Sequence, residues 1–98
     1  MQKYLVEFLG TMFLMFVILT TGNWLAIGAA LGIDVLLGGK ISGGAFNPAV
    51  AVGMFANGTL AQNDLIVYII VEILGALAAY LVYKNFVEKM WKERKREI

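Results

Sequence analysis

The 98-residue sequence contains no cysteine, no histidine, one serine and one proline. Without cysteine it has neither a disulfide framework nor a thiolate metal site, and without histidine it lacks the commonest metal ligand and general base. These absences leave no chemical basis for a metalloenzyme or for a serine or cysteine hydrolase. We therefore expect a protein that is not an enzyme and that holds no metal or other cofactor.

Charged residues are also scarce, at 15%, whereas hydrophobic residues make up 60% of the chain. A typical soluble domain is about half apolar and about a quarter charged. A chain this short buries its apolar surface poorly, because its surface is large relative to its volume. The excess apolar surface is therefore expected to face a lipid bilayer.

Three long apolar runs, at residues 4–20, 24–39 and 65–86, predict membrane-spanning helices. A helix needs roughly 20 residues to cross the ~30 Å hydrocarbon core, and the second run is short unless it continues beyond residue 39. The first run resembles a secretory signal, but Glu7 interrupts it early and no good cleavage site follows. We interpret it as a retained membrane helix.

The segment between the second and third runs, residues 41–56, is apolar but is broken by Gly43, Gly44 and Pro48. Its last ten residues as a helix would measure ~15 Å, which is half a bilayer. Irregular backbone survives at membrane depth only where protein or a water-filled cavity satisfies its polar groups. The segment therefore predicts a re-entrant loop followed by a half-helix.

The predicted fold class is an all-α membrane protein with three transmembrane helices and one re-entrant half-helix, over residues 1–86. Asn63 or Asp64 is the expected N-cap of the third helix. The remaining residues, 87–98, form a basic tail that interleaves Lys and Arg with Glu, as in a solvated helix end near anionic headgroups. No motif for nucleic-acid binding accompanies the basic residues, so we expect none.

The tripeptide Asn47-Pro48-Ala49 is the most informative stretch. Proline at the first helical position loses no hydrogen bond, and Asn at the N-cap accepts a backbone N–H while its amide NH₂ remains free to donate. The helix start also carries the positive end of the helix dipole, which repels cations in water pores. On spacing alone, a pore element and a simple capped loop are equally good interpretations.

A resemblance to a known family favours the pore. Ser42-Gly-Gly-Ala-Phe-Asn-Pro-Ala-Val-Ala-Val-Gly53 resembles the signature loop of the aquaporin, or major intrinsic protein, family. Val6-Glu-Phe-Leu-Gly-Thr11 and Tyr68-Ile-Ile-Val-Glu-Ile-Leu-Gly-Ala76 resemble its first-helix and third-helix motifs. Family members carry two such three-helix repeats in inverted orientation, whose Asn-Pro-Ala half-helices meet end to end. The resemblance implies that residues 1–86 are one aquaporin-like repeat.

The resemblance also assigns the pore-lining positions. The re-entrant loop lining consists of Ser42, Gly43, Gly44, Ala45 and Phe46. Val50 stands where water-selective members carry a filter arginine, and the filter positions of the second and fifth helices correspond to Ile27 and Val35. A filter without arginine or histidine implies a wider, less polar constriction that passes water and small neutral solutes of the glycerol, urea and ammonia class.

Three carboxylates in the predicted membrane segments require an explanation, because placing a charged side chain in lipid costs free energy. Glu7 resembles the family's loop-bonding glutamate, and Glu72 replaces the usual glutamine of the third-helix motif. We assign both to support of the loop, with a proton relay as the alternative. Asp34 adjoins a filter position and is either a helix-to-helix hydrogen-bond partner or a polar pore contact.

The implied function is a passive channel built from two copies of the chain in antiparallel orientation, since isologous dimers dominate homo-oligomers. The family's four-pore assembly implies four such dimers. The alternative is a non-conducting interaction subunit that pairs with a full-length channel or with a separate first-repeat partner.

The distribution of basic residues bears on membrane topology. Lys3 and Lys40 fall on one side of the membrane, and six basic residues of the C-terminal segment fall on the other. The positive-inside rule therefore predicts a multi-pass protein with its tail in the cytoplasm. The antiparallel pore requires the opposite, a dual topology, and the sequence does not resolve this conflict.

Overall fold

The computed structural model describes residues 1–97, so Ile98, the last residue of the predicted tail, lies outside the described residues. The helices are α1 (Gln2–Thr21), α2 (Trp24–Ser42), α3 (Pro48–Ala56), α4 (Gln62–Val82) and α5 (Glu88–Glu97), with a π-helical turn (Tyr83–Val87) joining the last two. Three helical spans are long and apolar enough to cross a membrane. The predicted all-α membrane fold with one half-helix is confirmed.

A tight turn makes α1 and α2 antiparallel neighbours. Gly22 adopts a left-handed conformation with φ of 53°, and its N–H donates to the carbonyl of Ile18 at 3.0 Å. Asn23 then caps α2, because its Oδ1 accepts the backbone N–H groups of Leu25 at 2.9 Å and Ala26 at 3.0 Å. Polar groups at both helix ends are thus satisfied within the two connecting residues, Gly22 and Asn23.

The chain enters and leaves its loop and half-helix on one face of the molecule. Asp64, in the first turn of α4, accepts hydrogen bonds from Lys3 Nζ at 2.9 Å and from the Tyr4 hydroxyl at 2.7 Å, both at the start of α1. Because α2 runs back antiparallel to α1, its C-terminal end lies near that same face. The segment between α2 and α4 is therefore re-entrant.

Two helix limits differ from the sequence-based expectation. The structure extends α2 to Ser42, so that this residue ends the helix rather than opening the loop. The predicted N-cap of α4 is wrong: the helix begins at Gln62, and Ala61 is the N-cap without a side-chain hydrogen bond. The physical reason is that the Asp64 carboxylate binds an ammonium and a phenol from α1, a stronger set of donors than one backbone N–H.

Close packing of α1 against α4 depends on Gly75. A Cβ atom at this residue would lie 2.5 Å from the backbone carbonyl oxygen of Phe8 and 3.3 Å from the backbone nitrogen of Met12. Backbone atoms cannot move aside as a flexible side chain can, so we expect Gly75→Ala to push the two helices apart. Overpacking of this kind costs about 1–3 kcal/mol.

Thermal unfolding in detergent, followed by circular dichroism, measures this loss. Gly28→Ala is the matched control, because the space around the Gly28 Cα is open and a Cβ there meets no atom within 4 Å. We expect a clear fall in unfolding temperature for Gly75→Ala and little change for Gly28→Ala. Equal effects of the two substitutions would contradict the close backbone approach at Gly75.

Candidate functional site

The loop between α2 and α3 reverses the chain direction through left-handed backbone. Gly43 and Gly44 have φ of 91° and 80°, and Phe46 has φ of 55°, which is unusual for a residue with a side chain. The Phe46 ring is only 2% exposed. It lies against Gly10 and Gly38, and a Cβ at Gly38 would come within 3.2 Å of the ring. Burial of this ring offsets the strain of its backbone and fixes the loop between α1 and α2.

Glu7 holds the loop from α1. Its Oε1 accepts the backbone N–H of Phe46 at 2.7 Å, and its Oε2 accepts the Ser42 hydroxyl at 2.6 Å and the backbone N–H of Ala45 at 3.3 Å. Glu7 is fully buried. A carboxylate accepting several hydrogen bonds is the arrangement that makes such burial tolerable. The loop is thereby tied to a single residue that lies 35 to 39 positions earlier in the chain.

Two further side chains complete the support, and sequence reasoning gave them no role. The Tyr68 hydroxyl donates to the Ser42 carbonyl at 2.6 Å, and Thr11 Oγ1 donates to the Phe46 carbonyl at 3.3 Å. Thr11 follows Glu7 by four residues and Tyr68 precedes Glu72 by four, so each shares a helix face with an intramembrane carboxylate. The feature of the sequence that could have indicated Thr11 and Tyr68 is a polar side chain one helical turn from an intramembrane carboxylate.

Asn47 and Pro48 start the half-helix in the manner that the sequence predicts. Asn47 Oδ1 accepts the backbone N–H of Ala49 at 2.8 Å, and its carbonyl accepts the N–H of Ala51 at 2.9 Å. Pro48 occupies the first helical turn. Asn47 is exposed, and within residues 1–97 its amide nitrogen donates no hydrogen bond. Two donor N–H groups and the positive helix end therefore face open space together.

The Asn47 end of the half-helix opens on a cavity of about 220 Å³ between α1 and α4. Thr11, close to the middle of α1, lines this cavity together with Asn47, Pro48 and Glu72. Since Thr11 also donates to the residue before Asn47, the half-helix begins about halfway along α1. The cavity thus lies at mid-depth of the three-helix repeat.

Glu72 is predicted from the sequence to be a second loop support, and that role stays a prediction. It is fully buried, and neither of its carboxylate oxygens has a hydrogen-bond partner among the described residues. The physical reason is that Glu7 already takes the backbone N–H groups of Ala45 and Phe46. Glu72 lines the cavity that contains Asn47.

The proposed filter positions lie in two different halves of the repeat. Val50 follows Asn47 by three residues on α3, and the Val35 methyl groups lie beside Gly39 and Gly44 at the loop. Ile27 lies in the first turn of α2, at the opposite end of that helix. Eight residues separate Ile27 from Val35, or ~12 Å of helix, so one chain does not present both at one constriction.

Asp34 lies on the buried stripe of α2 and is 8% exposed. In the described part of the chain its Oδ2 has no hydrogen-bond partner, so the expected helix-to-helix hydrogen bond is not formed by this atom. It lines a cavity of about 450 Å³ between α1 and α2 whose other walls are apolar side chains or glycine. Among residues 1–97, no group of three or more acidic side chains is arranged to hold a metal ion.

The chain is similar in sequence to a known family and to several of its members. The Major intrinsic protein family profile matches residues 19–97. The glycerol uptake facilitator protein-like 6 of Lactiplantibacillus plantarum is 43% identical, across 92% of this chain and 46% of its own length. Aquaporin Z of Brucella melitensis is 39% identical, across 81% and 41%. The probable glycerol uptake facilitator protein of Thermotoga maritima is 36% identical, across 95% and 47%.

The matched region contains α2, the loop, the half-helix and α4, whereas Glu7 and Thr11 of the candidate site lie on α1, before the matched residues. The chain spans less than half the length of the three relatives. No solved structure gives a significant match. The extent of the profile match and the identity to relatives over most of this sequence lead to one conclusion: the chain belongs to the major intrinsic protein family.

Proposed function

We propose that the chain forms a passive channel for water and small neutral solutes, with a pore built from two antiparallel copies. The observation that carries this proposal is the half-helix α3, which begins at Asn47 at mid-depth and ends on one face of the repeat. Nine helical residues span about 14 Å, or roughly half a hydrocarbon core. One copy therefore lines one half of a path across the membrane.

The chemistry at the start of α3 suits a neutral solute with an accepting oxygen. The Asn47 amide has N–H groups that are not used inside the described chain, and the helix dipole adds positive potential at the same point. Water or a hydroxyl group accepts these hydrogen bonds as it passes. A cation meets an unfavourable potential there, as at the half-helix ends of other water pores. Selective passage thus requires no covalent step, in keeping with a channel rather than an enzyme.

The second half of the path comes from a second copy in inverted orientation. A two-fold axis in the membrane plane, close to Asn47, would bring the two half-helices end to end at mid-depth. The relatives named aquaporin and glycerol uptake facilitator are about twice as long as this chain, which is consistent with two such repeats. Four antiparallel dimers, or eight chains, would make the four-pore assembly.

The same two-fold axis would bring filter residues from both copies to one constriction. Val35 and Val50 lie in the half of the repeat that contains α3, whereas Ile27 lies in the other half. Inversion would move Ile27 of the second copy into the half occupied by Val35 and Val50 of the first. Val35 and Val50 are 46% and 45% exposed in the single chain, which leaves them free to line a pore. Two equal, apolar filters would result, one toward each face.

Stopped-flow light scattering of proteoliposomes containing only the purified chain tests this proposal. We expect water permeability well above that of empty vesicles, and measurable glycerol permeability because the filter lacks arginine. Chemical crosslinking of the same sample is expected to yield dimers and higher even-numbered species. Monomers that show no flux would contradict the proposal.

Substitution of Val50 tests the filter. Val50→Arg is expected to lower glycerol flux more than water flux, because it narrows and polarises a constriction that passes the larger solute. Each mutation would place two arginines in the pore, so some loss of water flux is expected too. Val50→Ala is the control, since it removes bulk without adding charge and should leave glycerol flux at least as high. A wild type that excludes glycerol entirely would contradict the wide filter.

A second candidate function rests on the charge distribution. Lys3 and Lys40 lie toward the face where the loop enters, and the basic residues of the C-terminal segment lie beyond the other face. This bias favours one orientation in the membrane. A chain with one orientation would act as a non-conducting subunit that pairs with a full-length channel or a first-repeat partner. Absence of flux for the chain alone, restored by co-expression with such a partner, would favour this function.

A further inference from the structure

The C-terminal helical segment, residues 83–97, has an apolar face that is largely exposed at Phe86, Met90 and Trp91, although its first turn contacts α1. The apolar residues follow the i, i+3, i+4, i+7, i+8 pattern of an amphipathic helix: Tyr83, Phe86, Val87, Met90 and Trp91. The Tyr83 and Trp91 rings make an edge-to-face contact with centroids 6.0 Å apart, which shows that they share this face. Phe86 is 64% exposed and Met90 is 60% exposed. We call this segment the tail helix.

The tail helix is also strongly basic. It carries six Lys or Arg and three Glu side chains, a net charge of +3. Glu88 pairs with Lys84 at 3.0 Å and with Lys92 at 3.3 Å. Among residues 1–97, Lys89, Arg94, Lys95 and Arg96 have no carboxylate within ion-pairing distance. A large part of the positive charge is thus available to an external anionic surface.

The position of the tail helix brings both features to the membrane surface. The helical span Gln62–Glu97 has 36 residues and would measure ~54 Å, whereas the hydrocarbon core is ~30 Å thick. About 20 residues of this span cross the core, so the tail helix begins where the lipid headgroups begin. If it continued straight, its apolar face would extend ~22 Å into water.

The helix changes from α-helical to π-helical geometry where the tail helix begins. The π-helical turn Tyr83–Val87 separates α4 from α5, and such turns are sites where helices bend. Asn85 Nδ2 donates to the carbonyl of Leu81 at 2.8 Å, so a side chain competes there for a backbone acceptor of the regular helix. The turn gives the tail helix a place to change direction relative to α4.

We propose that the tail helix binds flat on an anionic phospholipid surface, with Phe86, Met90 and Trp91 inserted between headgroups and its basic residues on lipid phosphates. The charge favours this occupant over a second tail helix, because two tails of net charge +3 repel each other. Adjacency to the bilayer favours lipid over a soluble partner. The attraction of each basic residue to an anionic leaflet corresponds to about a fivefold change in binding. This inference does not depend on whether the chain conducts.

Tryptophan fluorescence in nanodiscs tests the proposal, because both leaflets of a nanodisc have the same composition and are accessible. The full chain with Trp24→Phe retains Trp91 as its tryptophan. Discs of phosphatidylcholine alone are compared with discs that also contain phosphatidylglycerol. We expect anionic discs at low salt to shield Trp91 from acrylamide and to allow its quenching by lipids with brominated acyl chains. High salt should reverse both effects, since surface charge is screened.

Charge variants separate the electrostatic contribution from the apolar one. Substitution of Lys92, Arg94, Lys95 and Arg96 by Gln should abolish the dependence on anionic lipid. The matched control, Glu93→Gln with Glu97→Gln, alters the same helix in the opposite direction and should strengthen the shielding. Helix content measured by circular dichroism should remain the same in both variants.

Three results would overturn the proposal. One is equal access of acrylamide to Trp91 in neutral and anionic discs, with no bromine quenching, which would mean that the tail helix stays in water. Shielding from acrylamide without bromine quenching would mean that protein covers the apolar face. Bromine quenching that is insensitive to lipid charge and salt would remove the role of the basic residues.

Discussion

Glu7→Ala is expected to abolish solute flux and to destabilise the folded chain by about 3 kcal/mol or more, since each buried donor left unpaired costs about 1–3 kcal/mol. The backbone N–H groups of Ala45 and Phe46 lose their acceptor, and the Ser42 hydroxyl keeps only a long contact with the Gly38 carbonyl at 3.4 Å. The loop that presents Asn47 would then lose its attachment to α1. Flux assays in proteoliposomes and thermal unfolding in detergent measure the two effects.

Two variants make this result specific. Glu7→Gln keeps one accepting oxygen but turns an NH₂ group toward donors, so we expect a defect between those of wild type and Glu7→Ala. Glu88→Ala removes a carboxylate that pairs only with exposed lysines, and surface pairs contribute about 0–1 kcal/mol. It should leave flux and stability nearly unchanged. Equal defects for Glu7→Ala and Glu88→Ala would contradict a special role of Glu7.

Asn47→Asp has the second large expected effect, on selectivity rather than on folding. The carboxylate can still cap α3, because it retains an oxygen to accept the Ala49 N–H. It removes the donating NH₂ group and places negative charge where the helix dipole is positive. In the proposed dimer two such charges would face each other at mid-depth. We therefore expect neutral-solute flux to fall at least tenfold and a cation leak to appear.

Proteoliposomes loaded with a cation-sensitive dye, assayed in parallel with light scattering, measure both changes. Asn57→Asp is the matched control, because it makes the same substitution at the exposed C-terminal end of the same half-helix. That variant should behave like the wild type. Normal water permeability and no leak in a correctly assembled Asn47→Asp protein would show that Asn47 does not line the pore.

The elements of the fold were predictable where a local pattern determines them. The apolar runs indicate α1, α2 and α4, and the Asn47-Pro48 pair fixes the start of α3 through a cap that involves neighbouring residues only. The N-cap of α4 was not predictable in this way. Asp64 has the right residue type for a cap, but its partners, Lys3 and Tyr4, lie 60 or more residues away in sequence.

The support of the loop was likewise predictable only where a local sequence pattern determines it. The sequence indicates a carboxylate on α1 through its resemblance to a family motif, and the structure gives Glu7 that function. It does not reveal that Tyr68 holds the Ser42 carbonyl, or that Glu72 is left without a hydrogen-bond partner in the described chain. These facts depend on which N–H groups Glu7 has already taken, and that depends on how three helices pack.

Glu72 is fully buried, and its carboxylate oxygens have no hydrogen-bond partner among residues 1–97. The residue is among those that line the cavity at the Asn47 end of α3. The charge distribution opposes antiparallel assembly, because six basic residues of the C-terminal segment favour a single orientation.

One measurement addresses antiparallel assembly directly, and the absence of native cysteine makes it practicable. Glu97→Cys introduces a single thiol at the end of the tail. The dimer is crosslinked through its amines, reconstituted in sealed, conducting proteoliposomes, and treated from outside with a membrane-impermeant maleimide. Mass spectrometry of the dimer then counts the labels.

The antiparallel pore predicts one label on each dimer, since each would have one tail on either face whatever its orientation in the vesicle. Parallel pairs would carry either two labels or none, and a mixture of those two species in a conducting sample would contradict the account.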